Sequence, residues 1–444
     1  MKPEDEAFLT DVHRNLDKQA IGPQSPFFVH LEELPGEVLG LDPVPMLATR
    51  VRRATPGSMF FLTGLRGSGK SSQLLRFKQH LERDGFPVLM VDAEDYLNLR
   101  RPIGVTDMLF FLVGAISDQA VAYDLIGKSD AAESYGWSRL REWLARFRVE
   151  TAEVGVKLPP VEGKLGLRAE LRDNPSFVEQ LRGFLDGRVA ELVAQAHAVV
   201  EDMVEQMRAR WDRGEWKDLV VIVDSLDHNR ATEATTFLEV RRALVNLFDL
   251  DRSKLALPRC RTVFTLPSLV TATETGVVRR VTNVKVMDHS GQPSWAGIDA
   301  LVEVLRKRIP HRDLHRIFPD DESVSQLAEL SGGNLRMLLQ LAMEVITQAE
   351  TLPVDKATIR SAIGEVRNSL LPLSDDEQAR LRRVAMNHRL PLDSPERWEP
   401  VAELLDRRLV LGYRNGDLWY DVHPLLADEI KTAPEAAPGT ETDP

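Results

Sequence analysis

The 444-residue chain holds a single cysteine, Cys260. That excludes an intrachain disulfide framework and any zinc knuckle built on cysteines, and it makes a reducing interior the natural surroundings. Positive charge is also in short supply: 56 Lys and Arg stand against 68 Asp and Glu, a formal charge of −12. A protein whose main work is coating nucleic acid needs the opposite sign, so only a local basic patch stays open. No apolar run approaches the roughly 20 residues of a membrane-spanning helix. The most apolar stretch, Met108 to Ile116, reads as one face of a buried helix. Met1 to Asn15 is charged and lacks an apolar signal core. Together these absences predict a cytoplasmic chain with no membrane partner, and the length predicts about three domains.

What is present is an alternation. Five short apolar or β-branched runs read as strands: Ser58 to Thr63, Pro87 to Asp92, Asp218 to Asp224, Arg261 to Thr265 and Val281 to Val286. Helical patterns such as Gln73 to Arg83 and Glu233 to Phe248 separate them, which predicts an α/β fold with a parallel sheet buried on both faces. About 125 residues lie between the second and third strands, far more than one crossover helix needs. This insertion, about 105–215, holds a Gly/Pro-broken stretch, Val154 to Leu171, that could form a hairpin. A helical run from Pro175 to Trp211 follows, with Asn174 as its N-cap. After the fifth strand the pattern turns helical. Ser374 with Glu377 is a capping box, and Asn415-Gly416 between two apolar runs is a hairpin signal. Helix, helix and hairpin in about 55 residues describe a winged helix. The expected layout is a lead-in over 1–43, a core over 44–290, a helical lid over 291–372, a winged helix over 373–431 and a disordered polar tail over 432–444.

The segment with chemistry in it is Gly64-Leu65-Arg66-Gly67-Ser68-Gly69-Lys70-Ser71, followed by Ser72. It matches G-x-x-x-x-G-K-[ST], placed after a strand and opening a helix. Such a loop turns backbone N–H groups inward around phosphate oxygens. Lys70 supplies charge at the β- and γ-phosphates, and the Ser71 hydroxyl ligates Mg²⁺. A metal also needs a carboxylate, and Asp224, at the end of the strand Leu219 to Val223, supplies it. Asp227 has two readings, a group that polarises water or holds the metal's outer shell, and a plain helix N-cap. His228 either orients water or is an ordinary loop histidine. Thr265, at the end of the fourth strand, either faces the γ-phosphate or caps the strand. In Ser331-Gly332-Gly333-Asn334-Leu335-Arg336, Arg336 either returns to the phosphates from the lid or sits on a plain interhelical turn.

In this order, the motifs resemble those of AAA+ and STAND-type P-loop ATPases over about Val44 to Leu426, minus the insertion. Gly332-Gly333-Asn334-Leu335-Arg336 looks like the sensor-2 turn of initiator-like ATPases. Asp224-Ser225-Leu226-Asp227 looks like the NACHT and KAP pattern, with Ser225 where standard AAA+ proteins have Glu. Asp421-Val422-His423-Pro424 resembles the winged-helix segment whose histidine, His423 here, senses ADP in STAND switches. The resemblance implies a five-stranded P-loop NTPase sheet in the order 5-1-4-3-2, a helical lid, a winged helix, and ATP and Mg²⁺ as ligands, while the departure at Ser225 points to slow hydrolysis. It also implies nucleotide-dependent switching with oligomerisation, and an arginine finger. Arg306, Arg308, Arg312 and Arg316 form the densest arginine cluster from which a finger could come.

Two functions follow from these residues. One is a regulatory ATPase switch, acting as a homo-oligomer or on a protein effector. The other is a DNA-binding ATPase of the initiator or transposition-regulator kind. From Ser374 to Lys431 there are nine Lys and Arg against twelve Asp and Glu, a poor surface for duplex phosphates, so DNA is the less favoured partner. A small-molecule phosphotransferase uses the same loop but needs neither lid nor winged helix, and Ser225 keeps open a scaffold that binds nucleotide without hydrolysing it.

Overall fold

Three strands of the sheet, β1 (Met59–Gly64), β3 (Leu219–Asp224) and β4 (Cys260–Leu266), are buried at every position, as their unbroken apolar runs require. The computed structural model describes residues 1–18, 20–127, 135, 136, 138–140, 142–144, 171–185, 187–228, 237–268, 278–392 and 398–432. The chain forms two compact units, Pro43–Gly64 with Lys70–Val281, and Met1–Asp42 with Leu65–Gly69 and Thr282–Pro444. We call them the sheet unit and the helical unit.

In the sheet unit, β2 (Val88–Asp92) and β5 (Val278–Val281) complete a parallel sheet in the order β2-β3-β4-β1-β5, which is 5-1-4-3-2 read from the other edge. One face is covered by α2 (Pro43–Arg53) and α3 (Lys70–Arg83), whose Leu47, Val51, Leu74 and Phe77 are almost fully buried. The other face carries α4 (Val105–Ala122), α5 (Pro175–Leu185) and α6 (Val189–Arg210), in one continuous apolar core with the strands. Beneath the sheet Phe248 of α7 (Phe237–Asp249) meets Phe61 and Phe264 of the strands, at ring separations of 4.9–6.3 Å within the trio. Helix α4 is long and apolar enough to cross a membrane by composition, but its side chains are mostly buried within this unit. As far as it is described, the 105–215 stretch therefore supplies one layer of the core. The expected Val154 to Leu171 hairpin lies outside the described residues.

Two expectations need correcting. The run from Pro175 to Trp211 is two helices, not one. Gly187, at φ 76°, takes a left-handed conformation that ends the first. Asn174 does cap that helix, its Oδ1 accepting from the Phe177 N–H at 3.1 Å. The fifth strand is Val278–Val281 rather than Val281 to Val286. Its last partner, Gly64, is where β1 gives way to the glycine loop, so the ladder has nothing further to pair with.

The helical unit opens with α1 (Pro3–Asp17), which buries Phe8, Leu9, Val12 and Leu16. The spacing of these residues puts one apolar stripe on the helix. That stripe packs on α8 (Trp295–Arg308) and α10 (Leu335–Thr347), so the polar-looking N-terminus is part of the lid's core. Two more lid helices, α9 (Asp321–Leu330) and α11 (Lys356–Asn368), are capped by Asp320 and Asp355. The winged helix follows as α12 (Asp375–Asn387), α13 (Glu399–Asp406) and the antiparallel pair β6 (Val410–Asn415) and β7 (Asp417–Val422), which turns at Gly416 with φ 109°. The Ser374–Glu377 capping box forms in both directions. Residues 393–397 and the tail from 433 lie outside the described residues.

Candidate nucleotide site

β1 ends at Gly64 and α3 begins at Lys70. Between them Gly67 and Gly69 have φ of 85° and 95°, a region that side chains disfavour. A turn closed by the Ser68 N–H on the Leu65 carbonyl at 3.1 Å shapes the loop. By its ends the loop belongs to the sheet unit and by its middle, Leu65–Gly69, to the helical unit.

Within the sheet unit the structure brings Lys70, Ser71, Asp224 and Asp227 together. The Lys70 ammonium is buried, donating to the Gly64 carbonyl at 2.9 Å and pairing with Asp227 Oδ2 at 3.0 Å. Both side chains are nearly out of contact with solvent, at 6% and 4% exposure. Burial opposes the charge on Asp227, but Lys70 and His228 outweigh it and hold the carboxyl below its ordinary value. Asp224 shows the reverse. Burial and the neighbouring Asp227 push it up, against the Ser71 hydroxyl and the Ser225 N–H that donate to it, the latter at 2.8 Å. The two carboxyls, three residues apart, are therefore driven in opposite directions.

The chain reaches this arrangement through Ser225, whose φ of 68° is left-handed. A non-glycine residue there costs about 1–2 kcal/mol. The bend starts the short 3₁₀ turn Leu226–His228, whose Asp227 meets Lys70. Asp227 is thus an ion-pair partner of the loop lysine, and among the described residues it caps no α-helix. Its Oδ1 is buried with no hydrogen-bond partner among the described residues, as are the hydroxyls of Thr265 and Ser68. Thr265 lies inside β4, opposite Leu62 and fully buried. His228 contacts Glu94 Oε1 at 2.8 Å through Nδ1, and Ser72 lies half-buried in the first turn of α3.

In the helical unit the lid turn grips the loop's middle. Asn334, fully buried, caps α10 by accepting from the Met337 N–H at 3.1 Å. Its amide nitrogen donates to the Arg66 carbonyl at 2.9 Å, and the Arg336 N–H donates to the Gly67 carbonyl at 3.3 Å. A Cβ on Gly67 would run into Asn334 and Arg336, so the turn needs glycine there for space as well as for φ. His423, at the end of β7, is fully buried with Nδ1 accepting from the Leu425 N–H at 3.2 Å. Burial, with Arg408 nearby, pushes its pKa down to about 3.

Three of the four clustered arginines serve this unit's own packing. Arg306 pairs with Glu303 at 2.8 Å. Arg308 donates to the carbonyls of Asn15, Leu16 and Lys18 at the end of α1. Arg316 pairs with Asp5 and lies 3.9 Å over the Phe8 ring. Arg312 is exposed, in a left-handed turn with φ 59°.

β1 lies between β4 and β5, a glycine loop joins it to a helix, an acid ends β3, and a lid and winged helix follow. The strand order is the one expected of a P-loop NTPase sheet. No family model matches it, and no curated protein does. Among solved structures, the Aeropyrum pernix ORC2 protein in its ADPNP–ADP complexes is similar at a TM-score of 0.42 and 12% identity, over 94% of this chain and 95% of that one. The ADP form of the same protein gives 0.38 and 14%, over 91% and 95%. Cdc6p from Pyrobaculum aerophilum gives 0.33 and 13%, over 88% and 91%.

Sequence reasoning missed the bond from Asn334 to the loop. Gly-Gly-Asn before an apolar run signals a cap, and nothing local shows that the same amide also reaches Arg66. It also left Ser225 as a substitution for Glu, without its left-handed backbone.

Proposed function

We propose that the chain binds Mg·ATP at the Gly64–Ser71 loop, hydrolyses it slowly, and uses the difference between ATP and ADP to switch its lid and winged helix. As a switch it acts on further copies of itself or on a protein effector. The observation that carries this reading is the buried Lys70–Asp227 pair beside the Ser71–Asp224 hydrogen bond. A buried ammonium is costly unless a partner compensates it, and this one sits at the end of a loop shaped for phosphate.

The residues suit the ligand. Ser71 and Asp224 would hold Mg²⁺, which neutralises phosphate charge when bound. The loop amides and Lys70 bind and orient the polyphosphate. Asp227, kept ionised and with one oxygen lacking a partner among the described residues, can accept a proton of a water and orient it. Thr265 offers a buried hydroxyl from β4.

The test is size-exclusion chromatography with light scattering, with ADP or a non-hydrolysable ATP analogue, with and without duplex DNA. Assembly driven by the ATP analogue alone supports the switch, whereas assembly only on DNA supports an initiator-like protein instead. Lys70→Ala should abolish ATP binding, and unchanged equilibrium binding of labelled ATP by that variant would remove the loop from the account.

A further inference from the structure

The lid turn that holds the loop also holds the wing. On one side are the Asn334 and Arg336 bonds to the carbonyls of Arg66 and Gly67. On the other, the Tyr413 hydroxyl of β6 donates to the Gly332 carbonyl at 2.8 Å. Asn283 ties the two together. Its N–H donates to the Gly412 carbonyl at 3.1 Å, and its side-chain oxygen accepts from Asn334 at 3.3 Å. Asn283, Asn334 and Tyr413 are all buried.

The turn has little slack. A Cβ on Gly333 would strike the backbone of Val284, and one on Gly332 would strike Leu411 and Pro424. Ser331 fixes it from within, donating to the Ala328 carbonyl at 2.6 Å and accepting from the Gly333 N–H at 3.1 Å. Tyr413 is itself held by stacking on Trp419 at 4.6 Å. A displacement of the wing therefore moves the turn instead of being absorbed.

The bonds to the loop fall on carbonyls. A trans peptide sets its C=O and N–H antiparallel. Anchoring the Arg66 carbonyl on the lid side thus turns the Gly67 N–H the other way, and the left-handed φ of Gly67 lets the chain follow. The lid takes the acceptors and leaves the donor face to an anion.

We propose that Asn334 is a positioning residue for the phosphate loop and that Tyr413 of the winged helix sets where Asn334 sits, so that the wing tunes nucleotide affinity. This rests on the nucleotide reading above. By reciprocity, nucleotide then biases the wing to the same extent.

Asn334→Ser keeps an N-cap oxygen and adds no charge but loses the amide. Tyr413→Phe keeps the ring and its stacking but loses the hydroxyl. ADP dissociation constants are measured by calorimetry on the full chain. Each variant is expected to weaken binding about fivefold, the worth of one ordinary hydrogen bond. The double variant should bind no more weakly than Asn334→Ser alone, because both act through one turn, whereas unconnected structural effects would add. Wild-type affinity in Tyr413→Phe, or additive losses in the double variant, would overturn the coupling. No ADP binding by the unaltered protein would instead overturn the nucleotide reading, and this proposal with it.

Discussion

Replacing Asp227 by Asn tests the buried ion pair most directly. The substitution keeps the volume and leaves an acceptor for Lys70, but removes the compensating charge. At 3.0 Å and an effective dielectric constant of about 20, the pair attracts by about 5 kcal/mol. An amide oxygen still bonding the ammonium retains part of that, so about 3 kcal/mol should be lost from the nucleotide-free protein, toward the low end of the usual range for breaking a buried pair. For a unit of this size that lowers the melting temperature by about 6–12 °C. Nucleotide should restore it. A polyphosphate supplies the missing negative charge, and it no longer competes with Asp227 for Lys70. ADP affinity should therefore rise ten- to hundredfold, about 1.4–2.7 kcal/mol. Turnover should fall to background, because the water loses its acceptor. The assay is differential scanning fluorimetry with an ADP titration, paired with phosphate release. An unchanged melting temperature without nucleotide, together with unchanged ADP affinity, would show that Asp227 does not hold Lys70, and the reasoning would fail.

Asp224→Asn should leave most ATP binding intact and remove Mg²⁺-dependent phosphate release, and wild-type release in that variant would deny Asp224 the metal. Arg308→Met strips three carbonyls at the end of α1 of their donor, at a cost of about 2–4 kcal/mol. Hydrogen exchange in Pro3–Asp17 should quicken, and unchanged protection would mean that Arg308 does not anchor the helix. His423 has a folded pKa of about 3 against an ordinary 6.5. Between those values the unfolded chain takes up a proton that the folded chain refuses, so stability should fall as pH drops from about 6.5 toward 3. His423→Asn should flatten the melting-temperature profile across that window, and an equally steep profile in the variant would place the acid sensitivity elsewhere.

Much of the sheet could be read from the chain because its signals are local. Apolar runs ending in Gly64 and Asp224 mark strands buried on both faces, and Gly67 and Gly69 stand where the backbone turns left-handed. The Ser374–Glu377 box and the Asn415-Gly416 hairpin likewise involve residues a few positions apart. What could not be read depends on partners distant in sequence. Leu9, Val12 and Leu16 look like scattered apolar residues in a polar lead-in until the lid gives their stripe something to bury against. Arg308 looks like one more basic residue in a charged cluster until the carbonyls of α1, nearly 300 positions earlier, reach it.

Asn334 marks the boundary between the two kinds of information. Its cap on Met337 spans three residues and could be anticipated, whereas its bond to Arg66 spans 268. The same side chain answers a local need with its oxygen and a distant one with its nitrogen. Serine or aspartate would meet the first need as well, but neither carries an amide donor for the second. The asparagine is thus accounted for only when the helix start and the loop are considered together, and Ser225 is a parallel case. As a left-handed residue it is the bend before the turn in which Asp227 meets Lys70, so a second carboxylate reaches the lysine through a backbone conformation that the residue type alone does not announce.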